Sequence, residues 1–188
     1  GVTYDSVLED GDISRTTADI HQTDAGFFLG RREDRISGRQ RLNIHGAIDL
    51  ETGKTKMIDV ETVDAASTVQ LLQEIETMYP LMTMIHVFLD NARYHHARLV
   101  SEWLSRPSCR ITLHFIPPYC PHLNPIERLW GVMHKHITHN KCYDTCAQFA
   151  DATLMFLKEK VPMHWESLCD SITDNFRIIS PADFRILR

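Results

Sequence analysis

At 188 residues, 43% hydrophobic and 24% charged, the chain suits one domain with a real core, which excludes disorder as the default reading. A net charge of −5 and a pI near 6.1 exclude a self-sufficient basic DNA-binding module, but not a nuclease whose acidic site works through cations. Five cysteines and no secretory leader fit a reducing cytoplasm, and the most apolar stretch, "LMTMIHVFL" at 81–89, is too short to span a bilayer.

In chain order, residues 1–37 show neither alternation nor a helical period, and because the first residue is Gly1 the sequence is expected to be a fragment. From Arg41, "RLNIHGAIDLETGKTKMIDVETVD" alternates apolar and polar residues around a Glu51-Thr52-Gly53-Lys54 turn, which predicts a β-hairpin. Asp64 then stands as N-cap of a helix with Val69, Leu72, Ile75 and Met78 at helical spacing, stopped at Pro80. "MIHVFLDN" reads as a strand buried on both faces, "ARLVSEWLSRP" as a helix and "RITLHFI" as a strand. A helix from about Pro125 to Thr138 follows, with Ile126, Leu129, Trp130, Met133 and Ile137 as its apolar stripe. A last helix, "TCAQFADATLMFLKEK", ends before Pro162, and the tail is mixed. With one more strand in the N-terminal part, this order predicts an α/β mixed sheet flanked by helices.

Two carboxylates stand where chemistry gathers in such a sheet. Asp90 ends a buried strand, and Glu127 follows another strand after the proline-rich loop of "HFIPPYCPHLNPIERLWGVMHKH". One helix and one strand fill the 36 residues between them, a connection that can bring both acids to one end of the sheet. Capping competes with this reading: Asp90 suits the N-cap of the next helix, and Asn124, Pro125 and Glu127 match a capping box. Phosphodiester cleavage by two divalent ions would want three acids, of which the residues offer two. Arg93, Arg98, Arg128, Lys135 and Lys141, with His95 and His96, are candidates for phosphate contact or ordinary surface. His134, His136, His139, Cys142 and Cys146 form a rival, zinc-type cluster, though their spacing matches no standard finger.

At "HVFLDNARYHHA" and "HFIPPYCPHLNPIERLWGVMHKHITHN" the sequence resembles the catalytic domain of DDE-type transposases of the mariner superfamily, in its insertion-sequence-630 branch. "SGRQRLNIHGAIDLETG" and "DNFRIISPADFR" resemble it too, so the likeness covers roughly residues 37–188, leaving 1–36 as a poorly matched segment that contains a candidate first strand. The resemblance implies an RNase H-like fold in which three carboxylates hold two Mg²⁺ or Mn²⁺ ions, cut transposon ends and join the 3′-hydroxyl to target DNA. Asp90 matches the second acid, Glu127 the third, and Asn124 is the helix cap that fixes Glu127. Arg93, His95, Arg128 and Lys135 are the expected DNA contacts. The family carries its first acid at the end of an apolar first strand, followed by a His-Pro pair that residues 1–36 lack. Counting back from Gly38 gives Asp10, with Asp19 and then Asp12 as alternatives. The implied partners are DNA and a second copy in a homodimer on DNA, in a bacterial cytoplasm beside the nucleoid. The alternatives are an inactive copy with a degraded N-terminal segment and a zinc-stabilised interaction domain. The helix-turn-helix region that binds transposon ends in this family is not read in these residues.

Overall fold

The computed structural model describes the backbone of residues 4–7, 13–16, 24–37, 40–118, 123–139 and 141–173, and side chains within 25–34, 41–118, 123–139 and 141–173. Two short strands, β1 (Tyr4–Val7) and β2 (Ile13–Thr16), pair antiparallel in a ribbon of their own. The main sheet is built from β3 (Asp24–Ser37), β4 (Gln40–Asp49), β5 (Thr55–Asp59), β6 (Met84–Leu89) and β7 (Ile111–Phe115), in the order β5-β4-β3-β6-β7. The first three form an antiparallel meander, whereas β3, β6 and β7 run parallel. This mixed sheet, flanked by helices on both faces, is the RNase H-like arrangement.

The central strand β3 is the hidden N-terminal strand, and it corrects the reading of residues 1–37 as patternless. Its core, Ala25 to Leu29, is a continuous apolar run because both faces are covered, so the alternation of a half-buried strand never develops. Phe27 and Leu29 face one layer with α1 (Ala65–Met78) and α2 (Arg98–Leu104), where Leu71, Leu72, Ile75, Val100 and Trp103 are buried. Phe28 faces the other layer, with Ile44, Ile48 and Phe88, under α3 (Pro125–Thr138) and α4 (Cys146–Met155).

The predicted hairpin is present as β4 and β5, and Gly53 takes φ 69° in its turn, a backbone state that costs glycine little. Asp64 caps α1 in a reciprocal box with Ser67: the Asp64 carboxylate accepts from Ser67 N at 2.9 Å, and Asp64 N donates to Ser67 Oγ at 2.8 Å. The predicted stop before Pro162 is not observed. After α4 the chain widens into a π-type turn, Phe156–Lys160, and continues through α5 (Val161–Met163) into α6 (Trp165–Thr173). A π turn shifts the hydrogen-bond pattern where Pro162 can neither donate nor clear the preceding turn, so the proline redirects the helix instead of ending it. α6 then packs on α3 through Ile172, part of the same core layer.

Candidate active site

Asn124 organises the site. Its side-chain oxygen accepts from Ile126 N at 3.3 Å, capping α3, while its Nδ2 donates to the carbonyl of Leu29 on β3 at 3.0 Å. With Pro125 at the first helical position, the start of α3 is pinned to the central strand. Glu127 lies in that first turn, exposed, with its backbone N–H bonded to Asn124 O at 3.0 Å. The expected capping role of Asn124 is therefore met by Ile126 N and Leu29 O.

Asp90 follows directly after β6. Its Oδ1 accepts from Ala92 N at 3.2 Å and lies 3.3 Å from His95 Nε2. The bond with His95 is the main cause holding the Asp90 carboxyl below the usual range, followed by the Ala92 N–H and then by charges including Arg31, against an opposing effect of partial burial. Glu127 is pushed the other way, first by partial burial and then by the Asp90 charge, with Arg32 and Arg31 opposing. The two expected acids do converge, closely enough that one perturbs the other.

The strand between them is where the expected triad departs. β3 pairs with β6 in parallel up to Phe28 opposite Phe88, and two residues beyond that last pair the two segments reach Gly30 and Asp90. A Cβ built on Gly30 would lie 3.7 Å from Glu127 Oε1 and 2.4 Å from Ile126 Cγ2. The apolar run Phe27 to Leu29 thus ends at a glycine whose open side faces Ile126, with Glu127 Oε1 next to it. Arg31 and Arg32 come next. Arg32 is paired with Asp34 at 2.7 Å, and Arg31 lies over the Tyr94 ring with its guanidinium carbon 6.0 Å from the ring centroid. Both arginines, with Arg41, Asn43, Glu33, Glu61 and Glu127, line a cleft of about 440 Å³, in which Arg41 pairs with Glu33 at 3.0 Å.

Among the described residues no group of three His, Cys, Asp or Glu side chains is placed to hold a metal ion. Among the described residues, Asp90 and Glu127 with Arg31 and Arg32 beside them do not by themselves make the oxygen-rich, net-negative cage that two divalent cations want. The first-acid candidates Asp10, Asp19 and Asp12 lie outside the described residues. Asp24 begins β3 but pairs with Met84, at the opposite end of β6 from Asp90.

The other expectations divide. His95 is 3% exposed and sits beneath Asp90, so its place is to position that carboxylate; burial keeps it from the DNA-facing role expected of it. Arg128 spends one N–H on the carbonyl of Ile172 at 3.3 Å, linking α3 to α6. Arg93 and Lys135 are exposed, as phosphate contacts require. The zinc cluster is not assembled: the His134 ring bonds Thr138 Oγ1 at 3.1 Å, His136 stacks on Phe156 with centroids 5.0 Å apart, and Cys142 and Cys146 are free thiols. The block "DNFRIISPADFR" begins at Asn-preceding Asp174 and lies outside the described residues. Sequence reasoning missed Gly30, Arg31 and buried His45. The available signal was the apolar run Phe27 to Leu29 followed by Gly-Arg-Arg.

The family model for DDE superfamily endonucleases matches residues 11–150. The chain belongs to the DDE superfamily endonucleases. Its relation within that superfamily is to the insertion-sequence-630 and mariner transposases. An IS630 insertion-element protein of 39 kDa from Shigella sonnei is 29% identical over 102 residues, 54% of this chain and 29% of that protein, so the match spans under a third of the relative's length. Among solved structures, the catalytic domain of Mos1 mariner transposase matches with TM-score 0.52 at 20% identity, covering 84% of this DDE domain and 85% of that chain. The simian T-cell lymphotropic virus intasome, in complex with a PP2A regulatory subunit, matches with TM-score 0.55 at 13% identity over 70% of this chain and 48% of that one. The HTLV-2 integrase catalytic core, solved with magnesium, matches with TM-score 0.50 at 12% identity over 72% and 86%. At these identities the likeness is one of fold alone.

Proposed function

We propose that this chain is a transposase-derived DDE domain that is catalytically silent as it stands, retaining the fold and two of three acids. The observation that carries the reading is the company of Asp90 and Glu127: the strand position between them is Gly30, followed by Arg31 and Arg32. Phosphodiester cleavage by paired cations needs a third oxygen ligand and a negative site, and guanidinium groups at that place repel the ions that would do the work. DNA remains the partner that the reading favours. Arg31 and Arg41 at the cleft, with exposed Arg93 and Lys135, offer phosphate contacts, and a second copy on DNA is the assembly that family membership suggests.

A second reading is favoured by the convergence of Asp90 and Glu127 alone: metal-dependent cleavage and strand transfer at transposon ends, with Asp10 or Asp19 as first acid. Incubation of supercoiled plasmid with the chain in millimolar Mn²⁺ or Mg²⁺ separates the two. The silent reading expects nicking no greater than that of an Asp90→Asn variant. Metal-dependent nicking that disappears in Asp90→Asn would overturn it and establish the second reading.

A further inference from the structure

Resting on the silent reading, we infer that Gly30 occupies the first-acid position of this sheet, and that Ile126 has taken the space, and the Arg31/Arg32 pair the charge, that a carboxylate with its cations would fill. Four independent features meet at this residue. Gly30 ends the buried apolar run Phe27 to Leu29, lies two residues past the Phe28–Phe88 pair as Asp90 does on its own strand, and has Glu127 Oε1 3.7 Å from where its Cβ would stand. Its cross-strand partner is also a glycine, Gly46, whose built Cβ would meet Met57 Sδ at 2.2 Å and Trp130 at 3.1 Å. The Gly30–Gly46 pair therefore makes a flat patch on which Ile126 and Trp130 seat α3 close against the sheet. Both of those residues are essentially fully buried.

That close seating explains why an acid is excluded at position 30 without a compensating change. A Cβ only 2.4 Å from Ile126 Cγ2 forces a shift in a side chain that has no free space to move into. The charge balance points the same way. Arg31 and Arg32 extend the strand past Gly30 and line one cleft with Glu127, Glu33, Glu61 and Arg41, and both guanidinium groups act on the Glu127 carboxylate, so part of its charge is already countered by the chain. Close packing alone would equally explain a glycine at 30, and the experiment separates that case.

Mn²⁺ is titrated calorimetrically into three variants: Ile126→Ala, Gly30→Ala with Ile126→Ala, and Gly30→Asp with Ile126→Ala, each checked for native circular dichroism. The inference expects only the Gly30→Asp pair to gain saturable Mn²⁺ binding, at least tenfold tighter than the other two. A folded Gly30→Asp pair that titrates like the Gly30→Ala pair overturns it and leaves Gly30 a packing residue. Should the aspartate variant not fold, Arg31→Ala with Arg32→Ala decides: the inference expects its Tm to rise with millimolar Mn²⁺ while the wild-type Tm does not, and an unresponsive Tm overturns it. A silent wild-type chain whose aspartate pair ignores Mn²⁺ sinks this inference alone. Nicking by the wild-type chain sinks the silent reading, and the Mn²⁺ affinity of the aspartate pair still decides position 30.

Discussion

His45 is fully buried beside Tyr94 and His95, and neither of its ring nitrogens has a protein partner. Burial first, and then the neighbouring His95, press its pKa down to about 3, with Arg31, its cross-strand partner on β3, adding to the effect. The sign is set by that depression. The neutral ring is compatible with the fold above the ordinary histidine range, and stability is lost as the pH falls from there toward 3, because the unfolded chain takes up the proton first. Between pH 7.5 and 5 the loss from this group should be about 2 kcal/mol, and His45→Leu should remove it. Urea unfolding of both proteins at the two pH values checks this, and parallel losses would contradict it. Glu127 behaves in the opposite sense. Its raised pKa means that its contribution is fully present at low pH and lost as the pH rises through the shifted value, so Glu127→Gln should raise Tm modestly at pH 8 and not at pH 4. Because the carboxyl is exposed, solvent screening keeps the effect small.

At the scale of elements, the seat of α3 on β3 decides the site's geometry. Asn124 is 4% exposed and serves both the helix end and the Leu29 carbonyl. Asn124→Ala removes the cap and leaves a buried carbonyl unpaired, for an expected loss of about 2–3 kcal/mol, whereas Glu127→Ala in the same turn should cost little. Equilibrium unfolding of the two variants tests the difference, and equal losses would mean that α3 is not held by its cap. α3 was legible in the sequence because local signals agree: Asn-Pro opens it, and Ile126 to Ile137 repeat at helical spacing, all confirmed as buried. β3 was not legible because its burial on two faces erases alternation. The continuation through Pro162 was not legible either, since proline reads as a stop and the π turn that accommodates it leaves no local signature.

For the whole molecule, the Asp90 charge reaches Glu127 because Asp90 follows β6 directly and the cap of α3 is tied to the neighbouring strand β3. What sequence could not supply was the parallel register that sets the end of β3 beside the end of β6, a relation between strands separated by the 46 residues from 38 to 83. The distribution of charge has its own consequence. With a net −5 and only a local rim of arginines, DNA binding by the chain alone should be weak and salt-dependent, falling at least tenfold in affinity between about 50 and 200 mM salt. Fluorescence anisotropy with a labelled duplex measures this; salt-insensitive binding would place the contact elsewhere than the phosphates.

The central claim, that this chain is a catalytically silent DDE domain, is tested most directly by titrating Mn²⁺ into the wild-type chain beside Asp90→Ala and Asp10→Ala. The account expects no saturable binding at millimolar metal in any of the three and no metal-induced rise in Tm. Saturable binding by the wild type that is lost in both variants would contradict it and make Asp10 the third ligand.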